Sequence, residues 1–233
     1  MAFTYEYSHL RVAVDFVVFG VDLSDPDPEL LVLLVRADAP FEGYLALPGG
    51  FVRIDEDLDA AAKRELREET GIGRQFYMEQ LRTFGALDRD PCERVITVAY
   101  LVLVNIAHYK VRAGSDAAAA DWHSARPVAS VLAFDHAEIL KVATERLEAK
   151  VRYAPIGFDL LPKKFSLGEL QRLYEVILDR PLDKRNFRRR IGEMGILTPA
   201  GERSTAGRSA QLYSFYKAAY DRAVQRGFHF EVQ

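Results

Sequence analysis

Two carboxylates four residues apart, Glu65 and Glu69, fall in the stripe of a predicted helix that should face a protein core, and this conflict constrains the chain more than any other feature. Set out at about 100° per residue, Leu58 to Glu69 places Leu58, Ala61, Ala62 and Leu66 on one face. The two glutamates lie between them, Glu68 beside them, and Lys63 and Arg67 point away. Like charges at this spacing repel by about 0.2–0.5 kcal/mol, and burying an unpaired carboxylate costs several times more. A divalent cation removes both penalties. Hard cations such as Mg2+ take one or two carboxylates together with waters and phosphate oxygens, so the ligand indicated is a diphosphate. Pro48-Gly49-Gly50 lets backbone approach such a ligand closely, and Gly71 can end the helix. For an isolated Glu-Glu pair, a salt-bridged surface helix would be the alternative.

The same stretch fills the pattern G-x(5)-E-x(7)-R-E-U-x-E-E-x-G-U, U being aliphatic, with Gly50, Glu56, Arg64, Glu65, Leu66, Glu68, Glu69, Gly71 and Ile72. It resembles the Nudix box. The resemblance implies an α/β fold, a Nudix α/β/α sandwich with a mixed sheet, that binds a nucleoside diphosphate derivative. It further implies Mg2+ or Mn2+ on Glu65, Glu68, Glu69 and Glu56. In an enzymatic version, water attacks one phosphorus of ADP-ribose to give AMP and ribose 5-phosphate. Glu65, Glu68 and Glu69 would then be catalytic through their cations, and Arg64 would hold the glutamates in position.

The chain has 233 residues, more than one such domain needs, and its charge is divided. Residues 161–233 carry 14 Lys/Arg against 8 Asp/Glu, whereas residues 1–160 carry 17 against 26. An acidic part joined to a basic part predicts different partners for the two. The single cysteine, Cys92, excludes an internal disulfide and suits a reducing compartment. Met1 to Glu6 lacks the basic and apolar regions of a leader, and no apolar run approaches the ~18 residues of a membrane span. The expectation is a cytoplasmic protein without a membrane partner.

Before the box, His9 to Val21 alternates like a sheet strand, and Leu30 to Arg36 reads as a strand covered on both faces. Arg36 ends that strand where a diphosphate would lie. After the box, Leu81 to Leu87 and Val95 to Ile106 read as strands joined by the loop Asp88 to Arg94, which brings Arg89 to the sheet end beside the box. The expected ligand contacts are therefore Arg36, Gly49, Gly50 and Arg89. Trp122 is expected to pack in the core or sheet. Asp116 to Asp121 surrounds an uninformative alanine run. Asp135 is the expected N-cap of a helix running to about Lys150, with His136 simply in its first turn. Prolines and a glycine from Val151 to Phe165 place a domain boundary there, giving 1–152 and 153–233.

The second region opens on a capping box, Ser166 to Glu169, and a helix with an apolar stripe of Leu170, Leu173, Tyr174 and Ile177. Asp183 can cap a second helix, Lys184 to Met194, with Phe187, Ile191 and Met194 on one side and Arg185, Arg188 and Arg189 around the wheel. Asn186 and Arg190 flank them. A strand from Ile196, a polar loop Pro199 to Ser209 carrying Arg203 and Arg208, and a strand Ala210 to Phe215 complete the order of a winged helix-turn-helix. A helix from Tyr216 to Arg226 follows. Predicted DNA contacts are Lys184, Arg185, Asn186, Arg188, Arg189 and Arg208, divided between base edges and phosphates.

The segments F-S-L-G-E-L-Q-R-L-Y-E, L-D-K-R-N-F-R-R-R and G-R-S-A-Q-L-Y behind a Nudix box, with Arg89-Asp90-Pro91 and Leu132 to His136, are similar to the NrtR type of Nudix-related regulators of NAD metabolism. That resemblance implies a homodimer that binds a double-stranded operator, represses NAD synthesis or salvage, and is released by ADP-ribose or a related nucleotide. Tyr44-Leu45 stands where a tryptophan is common, and the box is complete where many members have lost it. The competing reading is an ADP-ribose pyrophosphatase-like hydrolase whose C-terminal domain serves protein interaction or dimerisation.

Overall fold

The computed structural model describes residues 9–74, 76–109, 120–126, 132–205, 208–226, 228 and 230. The N-terminal stretch read for a leader, positions 116–119 of the alanine run and wing positions 206 and 207 lie outside the described residues. Strand β1 (Arg11–Val21) is the spine of the first layer. Val14, Phe16 and Val18 pack on one of its faces and Val17, Phe19 and Val21 on the other. Burial on both sides explains why alternation with polar residues is so weak here. The sheet runs β3 (Leu45–Ala46), β2 (Leu30–Arg36), β1, β6 (Val95–Leu103), β5 (Tyr77–Phe84). Short strands β4 (Gly49–Phe51) and β7 (Asp121–Ser124) add to β1 and β2. β1 pairs parallel with β6 and the other pairs are antiparallel, so the sheet is mixed.

Helix α1 (Leu58–Thr70) covers one face through Ala62 and Leu66, which join Val14, Phe16 and Val18. Asp57 starts it by accepting from the Ala60 amide at 2.7 Å, and Gly71 at φ 74° stops it. Leu66 is wholly buried and contributes about 1.5–3 kcal/mol, enough to seat a helix this acidic. Leu58, expected on the same stripe, is 38% exposed, and the first turn it belongs to is exposed through Ala60. Helix α2 (His136–Lys150) covers the opposite face with Ile139, Leu140, Ala143 and Leu147. The result is the α/β/α sandwich that the box implied.

Several boundaries differ from the sequence expectation. β5 stops at Phe84, not Leu87, because Arg94 takes the Gly85 and Ala86 carbonyls, each at 3.0 Å, out of the ladder. β6 ends at Leu103, and the Asn105 side chain starts a turn by accepting from the Ala107 amide at 3.0 Å. Trp122 packs in the sheet as expected, over Gly20. Asp135 occupies the N-cap position of α2 but makes no capping hydrogen bond, since its carboxylate is held elsewhere.

The expected boundary segment is packed. Ile156, Phe158 and Leu160 of a 3-10 turn (Pro155–Leu160) join one core cluster with Leu147 of α2 and with Leu170 and Leu173 of α3 (Leu167–Leu178). Ser166 ends β8 (Phe165–Ser166) and forms the expected reciprocal capping box with Glu169 at 2.7 and 3.2 Å. α4 (Lys184–Glu193) is capped by Asp183, and its Phe187 meets Tyr174 of α3 at 5.6 Å between ring centroids. β9 (Leu197–Thr205) and β10 (Arg208–Phe215) form the wing, with β8 on its edge, and α5 (Lys217–Gln225) follows. The wing strands extend through most of the segment read as a loop, pairing from Leu197↔Phe215 to Thr205↔Arg208. Solvent-facing strands joined by polar pairs such as Ser209–Glu202, 2.6 Å, carry no apolar alternation to betray them.

Candidate functional site

Arg64 is the hub of the box. Its Nε donates to Glu56 at 2.9 Å, its Nη1 to Glu65 at 2.5 Å and to Glu68 at 3.0 Å, and its Nη2 to the Phe51 carbonyl at 3.2 Å. A second bond from Nη2 reaches Glu56, and the Arg53 amide donates to the same carboxylate at 2.9 Å. The hydrogen bond from Arg64 holds Glu56 down to about pKa 2, and the three glutamates raise that of Arg64. The guanidinium thus neutralises acids that the sequence put on one helix face and the loop before it.

Among the described residues Glu69 has no such partner. Burial, then the charges of Glu65, Asp38 and Glu68, push its carboxyl up. It lines a cavity of about 440 Å3 at the sheet end, together with Arg36, Gly49, Gly50 and Arg89, so the fold gathers all four expected ligand contacts beside the box. Gly50 has to be glycine because a Cβ there would overlap the Glu65 carboxylate, and a Cβ at Gly49 would overlap Asp15 and the Val14 carbonyl. Among the described residues, no three His, Cys, Asp or Glu side chains form a ready cation cage. The donors fit a cation held more sparsely: Glu56 is saturated by Arg64 and Arg53, whereas Glu69 lines the cavity and Glu65, one helical turn before it, lies against Gly50 of the cavity wall with one oxygen on Arg64. Two carboxylates completed by water and phosphate oxygens suit Mg2+.

The raised pKa of Glu69 can be tested by metal titration. Mn2+ affinity should rise as pH rises through the elevated pKa of Glu69, because below it the proton and the cation compete for one carboxylate. Titration of Mn2+ across a pH series should show this slope in the native chain and a flatter one in Glu69→Gln. Equal slopes would remove Glu69 from the cation site.

The sequence reading missed Asp15, Asp38, Phe134 and His136, which also line the cavity. Asp15 left a signal, a charge at the centre of the apolar strand Val12 to Val18. His136, expected to be an ordinary first-turn residue, is buried and accepts from the Leu47 amide through Nδ1 at 3.0 Å. Burial lowers its pKa and keeps it neutral. Arg89 reaches the cavity from the β5–β6 loop, but its guanidinium is held by Asp135 at 2.7 and 2.9 Å and lies 3.4 Å from Asp15. A larger hollow of about 670 Å3 between the 3-10 turn and the wing is lined mainly by groups such as Phe158, Phe215 and Tyr220 and contains no box residue.

In the winged helix, α4 presents Lys184, Arg185, Arg188 and Arg189 to solvent, with Asn186 half-buried. Phe187 and Ile191 anchor the opposite face. Arg189 is tied to Asn186 at 2.9 Å and to Glu193 at 3.2 Å, so its position on the helix is already restrained. In the wing, Arg203 is held by Glu169 of the capping box at 2.7 Å. Arg208 starts β10, and its side chain lies outside the described atoms.

The NUDIX domain family model matches residues 10–146, and the NrtR DNA-binding winged helix domain model matches residues 157–215. The chain is 38% identical over 221 residues to the ADPR responsive transcriptional repressor NtrR of Acinetobacter baylyi, spanning 93% of this chain and 86% of that one. Shewanella oneidensis NrtR complexed with a 27mer DNA has a TM-score of 0.79 at 32% identity, covering 95% of this chain and 99% of the other. The NUDIX domain of Shewanella oneidensis NrtR complexed with ADP ribose has a TM-score of 0.52 at 33% identity, covering 60% of this chain and 90% of the other.

Proposed function

Because the chain belongs to the NrtR family, in which a Nudix domain precedes a DNA-binding winged helix, we propose that it is an ADP-ribose-responsive transcriptional repressor of NAD metabolism. The observation that carries this reading is the pairing, in one chain, of a diphosphate-sized cleft with an exposed arginine helix, joined by a continuous core. The proposed domains are 1–152 and 153–233. Arg185, Arg188 and Arg189 would carry base and phosphate contacts, Lys184 and Arg208 phosphate contacts, and Asn186 would join them at the DNA. The repressor works as a cytoplasmic homodimer, so that two copies of α4 meet two half-sites. Among the described residues no helix is long and apolar enough to cross a membrane. Four cationic side chains exposed on one short helix favour DNA over a protein-docking role for the C-terminal domain.

In the cleft, Arg36 and Arg89 supply positive charge, and Gly49 and Gly50 let the ligand approach backbone. Glu65 and Glu69 would hold Mg2+ or Mn2+, which neutralises diphosphate charge when bound. The test is a titration of the chain onto its own upstream DNA with and without ADP-ribose. Allosteric coupling free energies are typically 1–3 kcal/mol, so ADP-ribose should weaken that binding by about 5–150-fold. Equal affinity in both arms would defeat the proposal.

One observation favours hydrolysis as a second activity of the same domain: every fixed box position is filled, with Glu69 at the cavity. Assaying AMP in the same tube decides it. AMP release under Mg2+ that survives Glu69→Gln would defeat the assignment.

A further inference from the structure

Asp135 stands at a fork. As the residue before α2 it has the position and side chain of an N-cap, yet it makes no capping hydrogen bond. Both of its oxygens accept from Arg89, the Nη2 bond at 2.7 Å and the Nε bond at 2.9 Å. Beside it Phe134 takes a left-handed φ of 54°, which a bulky L-residue rarely adopts, and the first turn of α2 has no side-chain cap, its His136 and Glu138 amides donating instead to the Ala133 and Asp135 carbonyls at 3.2 and 2.9 Å. Arg89 in turn is 5% exposed in its side chain and lines the cleft, with Asp15 as its other acidic neighbour at 3.4 Å. With His136 neutral, two carboxylates face one guanidinium there, so an anion entering the cleft competes directly with Asp135 for Arg89.

The geometry points to a ligand-operated latch: diphosphate oxygens draw Arg89 away from Asp135, and the released carboxylate turns to cap α2. The two alternatives for Asp135 are mutually exclusive, which is what a two-state element requires. The latch sits where it can be felt in the winged helix. Neighbouring His136 holds the Leu47 amide just before the glycine loop, and α2 shares a core with Leu170, Leu173 and Ile177 of α3. Arg126 adds a polar tie, reaching Glu148 of α2 at 3.4 Å and the Ile177 carbonyl of α3 at 3.0 Å. This deepens the reading given above and rests on it for the identity of the ligand.

Asp135→Ser separates the two roles, because serine caps a helix but cannot hold Arg89 as an ion pair. Without ligand, the variant should bind the chain's own upstream DNA as weakly as the native protein does with saturating ADP-ribose, and further ADP-ribose should change that affinity less than twofold. Hydrogen exchange at the Ala137 amide should slow relative to the native chain, since the Glu138 amide already donates to the Asp135 carbonyl at 2.9 Å. Native DNA affinity in the variant, still lowered by ADP-ribose, would overturn the latch, and so would unchanged amide exchange. A native chain that ignores ADP-ribose would refute the effector assignment alone, while the exchange measurement would still decide the latch. Asp135→Asn, closest in shape, repeats the test should the serine variant be poorly folded.

Discussion

Replacing both Arg188 and Arg189 with alanine should weaken binding to the upstream DNA by about 2–6 kcal/mol, since each base-reading arginine is worth about 1–3 kcal/mol. Both side chains stand exposed on α4, opposite the buried Phe187 and Ile191. Their removal therefore takes away contacts to DNA without opening the core. The two are not equivalent. Arg189 is restrained by Asn186 and Glu193, and it keeps one orientation at small entropic cost, whereas among the described residues no such tie holds Arg188. Neighbouring positions can couple, so the single variants should accompany the double. Measurement by fluorescence anisotropy over a salt series separates base reading from phosphate attraction, because losing one phosphate contact lowers the salt slope by about one. Operator affinity in the double variant equal to the native value would remove α4 from the interface.

Phe187→Ala should destabilise the protein by about 3–5 kcal/mol, the usual cost of deleting a buried phenylalanine. The ring is 2% exposed and packs on Tyr174 of α3, itself fully buried. It is the contact that seats α4 on α3, so the same change should abolish DNA binding while the cleft keeps its ligand. Urea unfolding gives the first quantity and ADP-ribose titration the second. A shift below about 1 kcal/mol would mean that α4 is held mainly by other contacts, against the burial seen here.

How far each part could be read in advance follows from the range of the interactions behind it. Helix α1 was legible because its determinants are neighbours: apolar residues three and four apart, Asp57 three residues before the amide it caps, and Gly71 at the end. The box spacing likewise encodes its own cavity wall, since Gly50 and Glu65 meet only if the loop and helix take that shape. The capping box of α3 and the arginine face of α4 are of the same local kind. The wing was harder. Its exposed strands bury too little apolar area to impose a period of two, and a ladder of backbone bonds leaves no trace in residue type.

Sequence alone thus determined the acidic face of α1, the order of elements in the winged helix and the arginine face of α4, because short-range periodicity and charge spacing suffice for these, whereas the sandwich was implied by the resemblance of the box. Only the tertiary structure decided the fate of residues with two plausible partners. Asp135 looks like a helix cap until Arg89, 46 residues away, takes its carboxylate, and His136 looks incidental until the Leu47 amide, 89 residues away, finds its ring. A side chain close to both a local and a distant partner goes to whichever the packed core brings nearer, and that distance exists only after the sheet has formed.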